Sequence, residues 1–304
     1  MTTPMHAEEP AVPGLDAVAA SRWRQRSRSA SPWLHEEVAG RMAERLRWIK
    51  AVPQHWVHWA AMLGGLQGHA LVSTQYPQAR VTLAGEGARE AAQRLGAAAA
   101  RGWNPLRRRA GPAWADRPEP ASADMLWANM VLHQEARPRA LLRQWHSALK
   151  VDGFLMFSCL GPDTLRELRQ VFASEGWPAP HHGFTDMHDW GDMLVEVGFA
   201  EPVMDMERIR LAYPHARRLL QDLREVGRNF DDGRFGTLRG RGWLQALEEA
   251  LERGLPRDEA GQLLLTVEVV YGHAVKPTPR LKVEGTSTLD LQDMRAMLRQ
   301  SRRA

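Results

Sequence analysis

Apolar residues recur along this chain in two alternating patterns, one typical of amphipathic helices and one typical of buried strands. Between Ser31 and Ile49 they fall three or four positions apart, which predicts a helix that ends before Pro53. Short apolar runs predict strands at residues 55–62, 80–85, 123–130, 153–160, 202–209 and 262–275. Helical patterns predict a helix ending near Thr74 and further helices at residues 87–100, 136–150, 161–176, 186–197, 214–227 and 241–253.

The alternation of strands and helices predicts the fold class. It is typical of an α/β protein with a doubly wound, mostly parallel sheet and helices on both faces. No repeat of fixed period occurs, so we expect one domain with inserted segments. The predicted division is a disordered lead at residues 1–21, an N-terminal helical arm at 22–50, a main domain at 51–275 with a helical cap near 175–255, and a basic tail at 276–304.

Composition narrows the class of protein. Apolar residues make up 44% and charged residues 25% of the 304 residues, which is ordinary for a globular protein. No run approaches the ~18 apolar residues of a membrane helix, and no secretory signal is evident. A single cysteine, Cys159, excludes an internal disulfide and a Cys-rich metal site. We therefore expect a cytoplasmic protein.

The formal net charge of +4 comes from arginine, because lysine is scarce. Such a surface favours an acidic partner, either a nucleic acid or an acidic protein. A genome that prefers arginine codons explains the same excess equally well. The chain has no zinc-finger spacing and no RNA-binding aromatic motif, so we do not expect it to bind nucleic acid.

Candidate cofactor residues follow from the fold class. In a doubly wound sheet the ligand lies at the carboxyl ends of the strands. The first strand should end in a tight glycine turn, and the second in an acid that binds ribose hydroxyls. The corresponding runs are PQHWVHWAAMLGG at 53–65 and YPQARVTLAGE at 76–86.

These runs resemble the cofactor segments of class I S-adenosylmethionine methyltransferases, in which an apolar strand precedes an acid and G-x-G-x-G. The match puts His58 at the acid and Ala60, Met62 and Gly64 at the three glycines, so only the last glycine is kept. It also puts Gly85 at the ribose-binding acid, with Glu86 one position late, and Asn129 beside the methionine end of the cofactor.

Longer strings make the resemblance specific. FSCLGPDTLRELRQVF at 157–172 and HHGFTDMHDWGDMLVEVGFAEPVMDME at 181–207 are similar to the malonyl carrier-protein O-methyltransferases that start biotin synthesis. So are SPWLHEEVAGRMAERLRWIK at 31–50 and VYGHA at 270–274, and the resemblance covers about residues 22–275. A mitochondrial branch that assists respiratory-complex assembly carries a similar GPDTL string, so the methyl acceptor stays open.

The resemblance implies that S-adenosylmethionine donates a methyl group to the free carboxylate of a malonyl thioester on an acyl carrier protein. A carboxylate with a pKa near ~4 is already ionised at neutral pH and needs no general base, so no catalytic residue is assigned. Arg166 or Arg169 would pair with this carboxylate, or both are solvated. The degraded glycine loop leaves an alternative, a catalytically impaired relative that acts as a binding or assembly partner.

Other residues carry narrower expectations. Met62 would place a long side chain beside the nucleoside, Glu86 would replace the missing acid, and His58 would bind the amino-acid end of the cofactor. Cys159 is expected to be a small buried residue rather than a nucleophile. His181, His182 and His188 lie in a loop that matches the family, so no metal is expected. The arginines that could meet an acidic carrier are Arg107, Arg108, Arg109, Arg217 and Arg218.

Overall fold

The structure is a computed structural model that describes residues 12–100 and 112–279. Its first helix, α1, covers Ala17–Arg24, and Asp16 caps it by accepting hydrogen bonds from the backbone of Val18 and Ala19. The expectation of a disordered lead through residue 21 is therefore wrong for residues 17–21, and residues 1–11 lie outside the described chain. A second helix, α2, covers Trp33–Arg45 and continues as a 3-10 turn at Leu46–Trp48, as its apolar spacing predicts.

Seven strands form one sheet in the order β3-β2-β1-β4-β5-β7-β6. Neighbours from β3 to β5 pair in parallel, whereas β7 runs antiparallel to both β5 and β6. This confirms the doubly wound, mostly parallel α/β sheet. The strands are β1 His55–Trp59, β2 Arg80–Ala84, β3 Ala113–Ala115, β4 Ala123–Ala128, β5 Leu149–Leu160, β6 Ala200–Tyr213 and β7 Leu263–Val275.

The remaining helices connect the strands. They are α3 Ala61–Gly64, α4 Leu66–Gln75, α5 Ala88–Ala100, α6 Pro138–Ala148, α7 Arg166–Ser174, α8 Met187–Val197, α9 Ala216–Val226 and α10 Arg241–Gly254. Several predicted boundaries differ from the structure, including the end of β1, which was predicted at residue 62, and the ends of β6. The turn predicted at 151–153 lies inside β5, where Asp152 has a positive φ of 63°. The helix predicted from residue 161 begins at Arg166, because residues 161–165 form a turn bound to β7.

Alternating residues of the strands point to opposite faces of the sheet and pack into two apolar cores, one on each face. Val57, Leu126 and Leu155 belong to the core under α6 and α8. Trp56 and Met125 belong to the core under α2. No helix in the described ranges is long and apolar enough to cross a membrane.

A third apolar cluster joins α7, α9 and α10 through Leu168, Leu219 and Leu251, and we call these three helices the cap. The cap predicted near residues 175–255 differs from this set, which includes α7 before residue 175 and leaves out α8 and β6. Helix α8 packs Trp190 and Leu194 into the core under α6, and β6 is part of the sheet. Helix α8 and strand β6 thus pack with the sheet and not with the cap.

Candidate active site

An open cleft of about 700 Å³ lies at the carboxyl ends of β1 and β2. Trp59 ends β1, and Gly85 follows directly after β2. Ligands bind at the carboxyl ends of the strands in doubly wound sheets, and β1 lies next to the point between β1 and β4 where the strand order reverses. Charged residues of both signs line the cleft: Glu86, Arg89, Asp116, Arg117, Glu135 and Arg137.

Two glycines shape the floor of this cleft. Gly85 and Gly87 have φ values of 76° and 72°, in the left-handed region that disfavours residues with a Cβ. A Cβ at Gly85 would lie 2.7 Å from the indole of Trp59. The aromatic ring therefore covers the position that the sequence match assigns to the ribose-binding acid, and no larger side chain fits there without moving it.

Glu86 lines the cleft, but its carboxylate is already paired. Arg24 of α1 contacts Glu86 through Nε at 3.0 Å and Glu135 through Nη2 at 3.3 Å, and it donates to the backbone oxygen of Gln134 at 2.5 Å. The Arg24 side chain is only 10% exposed. Helix α1 therefore closes one side of the cleft. Sequence reasoning missed Arg24, which lies in the predicted helical arm, because its partners Glu86 and Glu135 are distant in sequence.

The residues matched to the glycine loop form a tight helical turn instead of an open loop. Ala60 adopts a left-handed conformation with φ of 50°, and Ala61–Gly64 are buried. Met62 is 3% exposed and packs with Leu83 and the first turns of α5, against Gly87. Its side chain does not line the cleft itself, whereas the sequence match expects Met62 beside the nucleoside.

Behind this turn the structure brings together three residues that the sequence predicted for cofactor binding: His58, Gly64 and Asn129. A Cβ at Gly64 would lie 3.4 Å from His58 Nε2 and 3.3 Å from the backbone oxygen of Asn129. His58 Nδ1 contacts His69 Nδ1 at 3.2 Å. Asn129 Nδ2 donates to the backbone oxygens of His35, at 2.7 Å, and Gly64.

This buried cluster is uncharged at neutral pH. Burial lowers the pKa of His58 well below its ordinary value, with a further contribution from His69. Burial lowers the pKa of His69, and likewise that of His35, to about 4. Ser158 Oγ completes the cluster by donating to Asn129 Oδ1 at 2.6 Å. All five side chains thus make a hydrogen bond within the protein, although Nε2 of His58 and of His35 has no partner, and His58 does not line the cleft.

A second cavity of about 250 Å³, the apolar cavity, lies between the carboxyl ends of β4 and β5 and the cap. Most of its wall is apolar: Leu160, Leu165, Leu168, Phe172, Phe184, Leu220, Leu223, Val226, Phe230 and Leu247. Its polar wall contains His133, His181 and His182, each at least nine-tenths buried. Each of these rings keeps one nitrogen without a hydrogen-bond partner. Sequence analysis did not single out His133, because its place in this cavity depends on the cap, which is distant in sequence.

Comparison with known proteins settles the family. The chain is 36% identical over 267 residues to the malonyl-acyl-carrier-protein O-methyltransferase of Methylovorus sp., covering 83% of this chain and 85% of that relative. It is 36% identical over 269 residues to the enzyme of the same name from Nitrosospira multiformis. The chain belongs to the malonyl-acyl-carrier-protein O-methyltransferase family. This confirms the family that the GPDTLRELR and FTDMHDWGDML strings indicate.

Other comparisons set the limits of this family match. The match to the Laribacter hongkongensis relative, at 47% identity, spans only 54% of this chain and 55% of that protein, about half its length. No family model matches the chain. Two solved structures share the fold at 12% and 11% identity: a Bacillus halodurans protein assigned as a methyltransferase and the YcgJ protein of Bacillus subtilis. Their TM-scores are 0.51 and 0.52, with 78% and 80% of this chain and 99% of each structure covered.

The remaining candidates for substrate contact in this family member lie away from both cavities. Arg166 lies 3.3 Å from Glu167 and 3.6 Å from Asp163, and neither it nor Arg169 lines the cleft or the apolar cavity. Arg217 pairs with Glu248 and Arg218 with Asp222. Arg107, Arg108 and Arg109 lie outside the described residues.

Two smaller expectations concern cysteine and metal. Cys159 is fully buried, and burial raises the pKa of its thiol, as expected for a packing residue. Within residues 12–100 and 112–279, no group of histidine, cysteine or acidic side chains could hold a metal ion. His188 is exposed and its ring pairs with Asp186, while His181 and His182 bond to backbone oxygens.

Proposed function

We propose that the chain is an S-adenosylmethionine-dependent methyltransferase that esterifies the free carboxylate of a malonyl thioester on an acyl carrier protein. The observation that carries this proposal is the 36% identity to malonyl-acyl-carrier-protein O-methyltransferases over 83% of the chain. The sheet order and the cleft at the carboxyl ends of β1 and β2 support it, because this is where doubly wound folds bind ligands.

The residues present fit one half of the cofactor. The cleft of about 700 Å³ lies within the usual range for ligand sites, and its two positive-φ glycines let backbone approach a nucleoside closely. Trp59 would contact the nucleoside, and the carboxylates of Glu86 and Glu135, both paired with Arg24, would accept hydrogen bonds from it through their remaining lone pairs. The cofactor's amino-acid half does not fit the turn at Ala61–Gly64, since this turn is buried. Binding the whole cofactor therefore requires this turn to move.

The bound cofactor would supply a methyl group on a sulfonium centre. The protein must then align the acceptor and exclude water from it. The apolar cavity suits both tasks, because ten apolar side chains form most of its wall. His133 and Gln134 line this cavity, and the next residue, Glu135, lines the cleft. The donor and acceptor sites would thus meet at residues 133–135.

His133 is our candidate for holding the acceptor carboxylate. Burial, then the charges of His35 and His182, lower the pKa of His133 well below its ordinary value, so the ring is neutral at pH 7. Gln134 Nε2 donates to His133 Nε2 at 3.0 Å, which puts the ring proton on Nδ1. That nitrogen has no partner in the protein and can donate to a carboxylate oxygen.

A second candidate function is a relative that binds an acyl partner without transferring a methyl group. The buried turn at Ala61–Gly64 favours it, because this turn occupies the place where the sequence match expects an open glycine loop. The neutral His58, whose Nδ1 contacts His69 and which does not line the cleft, favours it as well. Both candidates predict a ligand in the apolar cavity, and they differ in whether the cleft binds the cofactor.

Calorimetric titration with S-adenosylmethionine separates the two. Ala140 is exposed on α6 at the edge of the cleft, so Ala140→Phe would fill the cleft without entering a core. We expect the unmodified protein to bind the cofactor, Ala140→Phe to bind it at least about tenfold more weakly, and exposed Ala246→Phe on α10 to bind it normally. No heat near millimolar cofactor would contradict the enzyme and favour the second candidate. Methyl ester formation on a malonyl carrier protein tests the acceptor.

A further inference from the structure

A basin of about 450 Å³ lies where the connection between α1 and α2 meets the C-terminal end of α9. Four arginines surround Trp23 in this basin: Arg26, Arg28, Arg224 and Arg228. We call these five residues the Trp23 basin. Across the described ranges, none of the four forms an ion pair with a carboxylate. Many other arginines of this surface do, including Arg24 in the same helix as Trp23.

The arginines are held in place by contacts other than ion pairs. The guanidinium carbons of Arg28 and Arg228 lie 4.8 and 4.6 Å from the Trp23 ring centroid, and that of Arg26 lies 5.9 Å away. Arg28 also donates to the backbone oxygens of Trp23, at 2.7 Å, and Arg26, at 2.8 Å. The guanidinium groups of Arg26, Arg28 and Arg228 are therefore held in place by Trp23 and by backbone oxygens.

The cluster carries uncompensated positive charge. Burial, then the charge of Arg26, lower the pKa of Arg28. Burial, then Arg26 and Arg224, lower the pKa of Arg228. The acids nearby are few: Glu225 lines the basin, and the charge of Glu90 partly offsets the effect on Arg28. Because like charges held close together repel, an anion bound among them would relieve the repulsion.

The basin adjoins the apolar cavity. Arg224 and Arg228 line both. A ligand with an anionic end at the arginines can therefore extend an apolar chain toward His133. This combination matches the prosthetic arm of a carrier protein, in which a phosphodiester is followed by a chain of two amides and a terminal thioester.

The free nitrogens in the apolar cavity suit the amides of such an arm. His181 Nδ1 donates to the backbone oxygen of His182 at 2.6 Å, which leaves Nε2 of the neutral ring as an acceptor. His182 Nε2 donates to the backbone oxygen of His133 at 2.8 Å, which leaves Nδ1 as an acceptor. Both acceptors lack a partner, and amide N–H groups are the donors that such a chain offers.

We propose that the Trp23 basin binds the phosphodiester at the base of the carrier protein's arm, with the arm in the apolar cavity. This inference rests on the proposed function, since that function requires a carrier-bound thioester. Arginine suits the role because its planar guanidinium makes paired, charge-assisted hydrogen bonds to phosphate oxygens.

The test compares two small probes, malonyl-pantetheine with and without its 4′-phosphate, by calorimetry in the absence of S-adenosylmethionine. We expect the phosphorylated probe to bind at least about tenfold more tightly, and the difference to shrink as salt is added. The variant Arg26→Gln/Arg224→Gln should remove the difference, because both side chains are exposed and neither makes a hydrogen bond in the structure. Arg217→Gln, also on α9 but paired with Glu248, should retain it.

Each result supports or overturns the binding of the phosphodiester by the Trp23 basin. Equal affinity for the two probes, or an unchanged preference in the double variant, overturns the proposal. A short single-stranded oligonucleotide that binds more tightly than the phosphorylated probe, and loses its affinity in the double variant, assigns the basin to nucleic acid instead. A phosphate preference without methyl transfer leaves the basin assigned and counts against the proposed function alone.

Discussion

A side chain at Gly85 would have to displace the Trp59 indole, since a Cβ there would lie 2.7 Å from the ring. We expect Gly85→Ala to lower the free energy of unfolding by about 2–4 kcal/mol, part from the positive φ and part from overpacking. Gly176 is a matched control, because it has φ of 66° and nothing within 4 Å of a Cβ. Gly176→Ala should cost only about 1–2 kcal/mol in urea denaturation. If both variants lose the same free energy of unfolding, the Trp59 indole moves aside at no cost.

Met62 offers a second test at the same edge of the sheet. It is 3% exposed and packs with Leu83 and α5, so Met62→Gly should leave a void and cost about 3–5 kcal/mol. Because the side chain does not line the cleft, restoring glycine at this position should not raise the affinity for S-adenosylmethionine. Met62→Leu, which conserves volume, should cost less than about 1.5 kcal/mol. A gain in cofactor affinity for Met62→Gly, measured by calorimetry, would show that Met62 blocks the site.

Among the secondary-structure elements, α1 is tied to the cleft by a single side chain, Arg24. Arg24 joins it to Glu86 and Glu135 while only 10% exposed, so Arg24→Met leaves two carboxylates without their partner. We expect amide exchange in Ala17–Arg24 to rise about 10–100-fold, a loss of roughly 1.5–3 kcal/mol of local stability. Exposed Arg22 lies in the same helix, and Arg22→Met should leave exchange unchanged. Equal exchange in both variants would mean that the contacts of Trp23 hold α1 without Arg24.

The elements also show what sequence alone supports. Strand and helix patterns predicted the sheet and most helices, since periodicity depends on local burial. The glycine-loop match located the carboxyl ends of β1 and β2 correctly. It did not reveal that Met62 packs toward α5 or that Arg24 reaches Glu86, because both depend on contacts between segments distant in sequence. For the same reason, the Trp23 basin could not be predicted, since it combines α9 with residues near α1.

In the whole molecule, the cleft, the apolar cavity and the Trp23 basin adjoin one another. The cleft meets the apolar cavity at residues 133–135, and the apolar cavity meets the Trp23 basin at Arg224 and Arg228. Helix α1 contacts two of these spaces, through Arg24 at the cleft and Trp23 at the basin. A carrier that binds the basin would therefore also hold the helix that closes the cleft.

The buried histidines make the folded state sensitive to acid. Burial lowers the pKa of His35, His69 and His181 to about 4 in the folded protein, from an ordinary value of 6.5. Below pH 6.5 the unfolded chain binds protons that the folded chain refuses, so stability is full above 6.5 and declines as the pH falls toward 4. Each such histidine lowers the free energy of unfolding by up to about 1.4 kcal/mol for each pH unit of acidification in that window.

Removing one of these histidines should reduce the loss of stability in acid by the contribution of one titrating group. His69→Phe preserves a ring against Trp56 and His58 while eliminating one titrating group. Its free energy of unfolding should be lower than that of the unmodified protein at pH 7.5, but it should fall by about 1 kcal/mol less between pH 6 and 5. Urea denaturation at each pH measures this difference. Met62→Leu leaves every histidine in place and should keep the full slope. If His69→Phe retains the full slope as well, the buried rings accept protons without unfolding, and the cluster around Asn129 opens more readily than its hydrogen bonds imply.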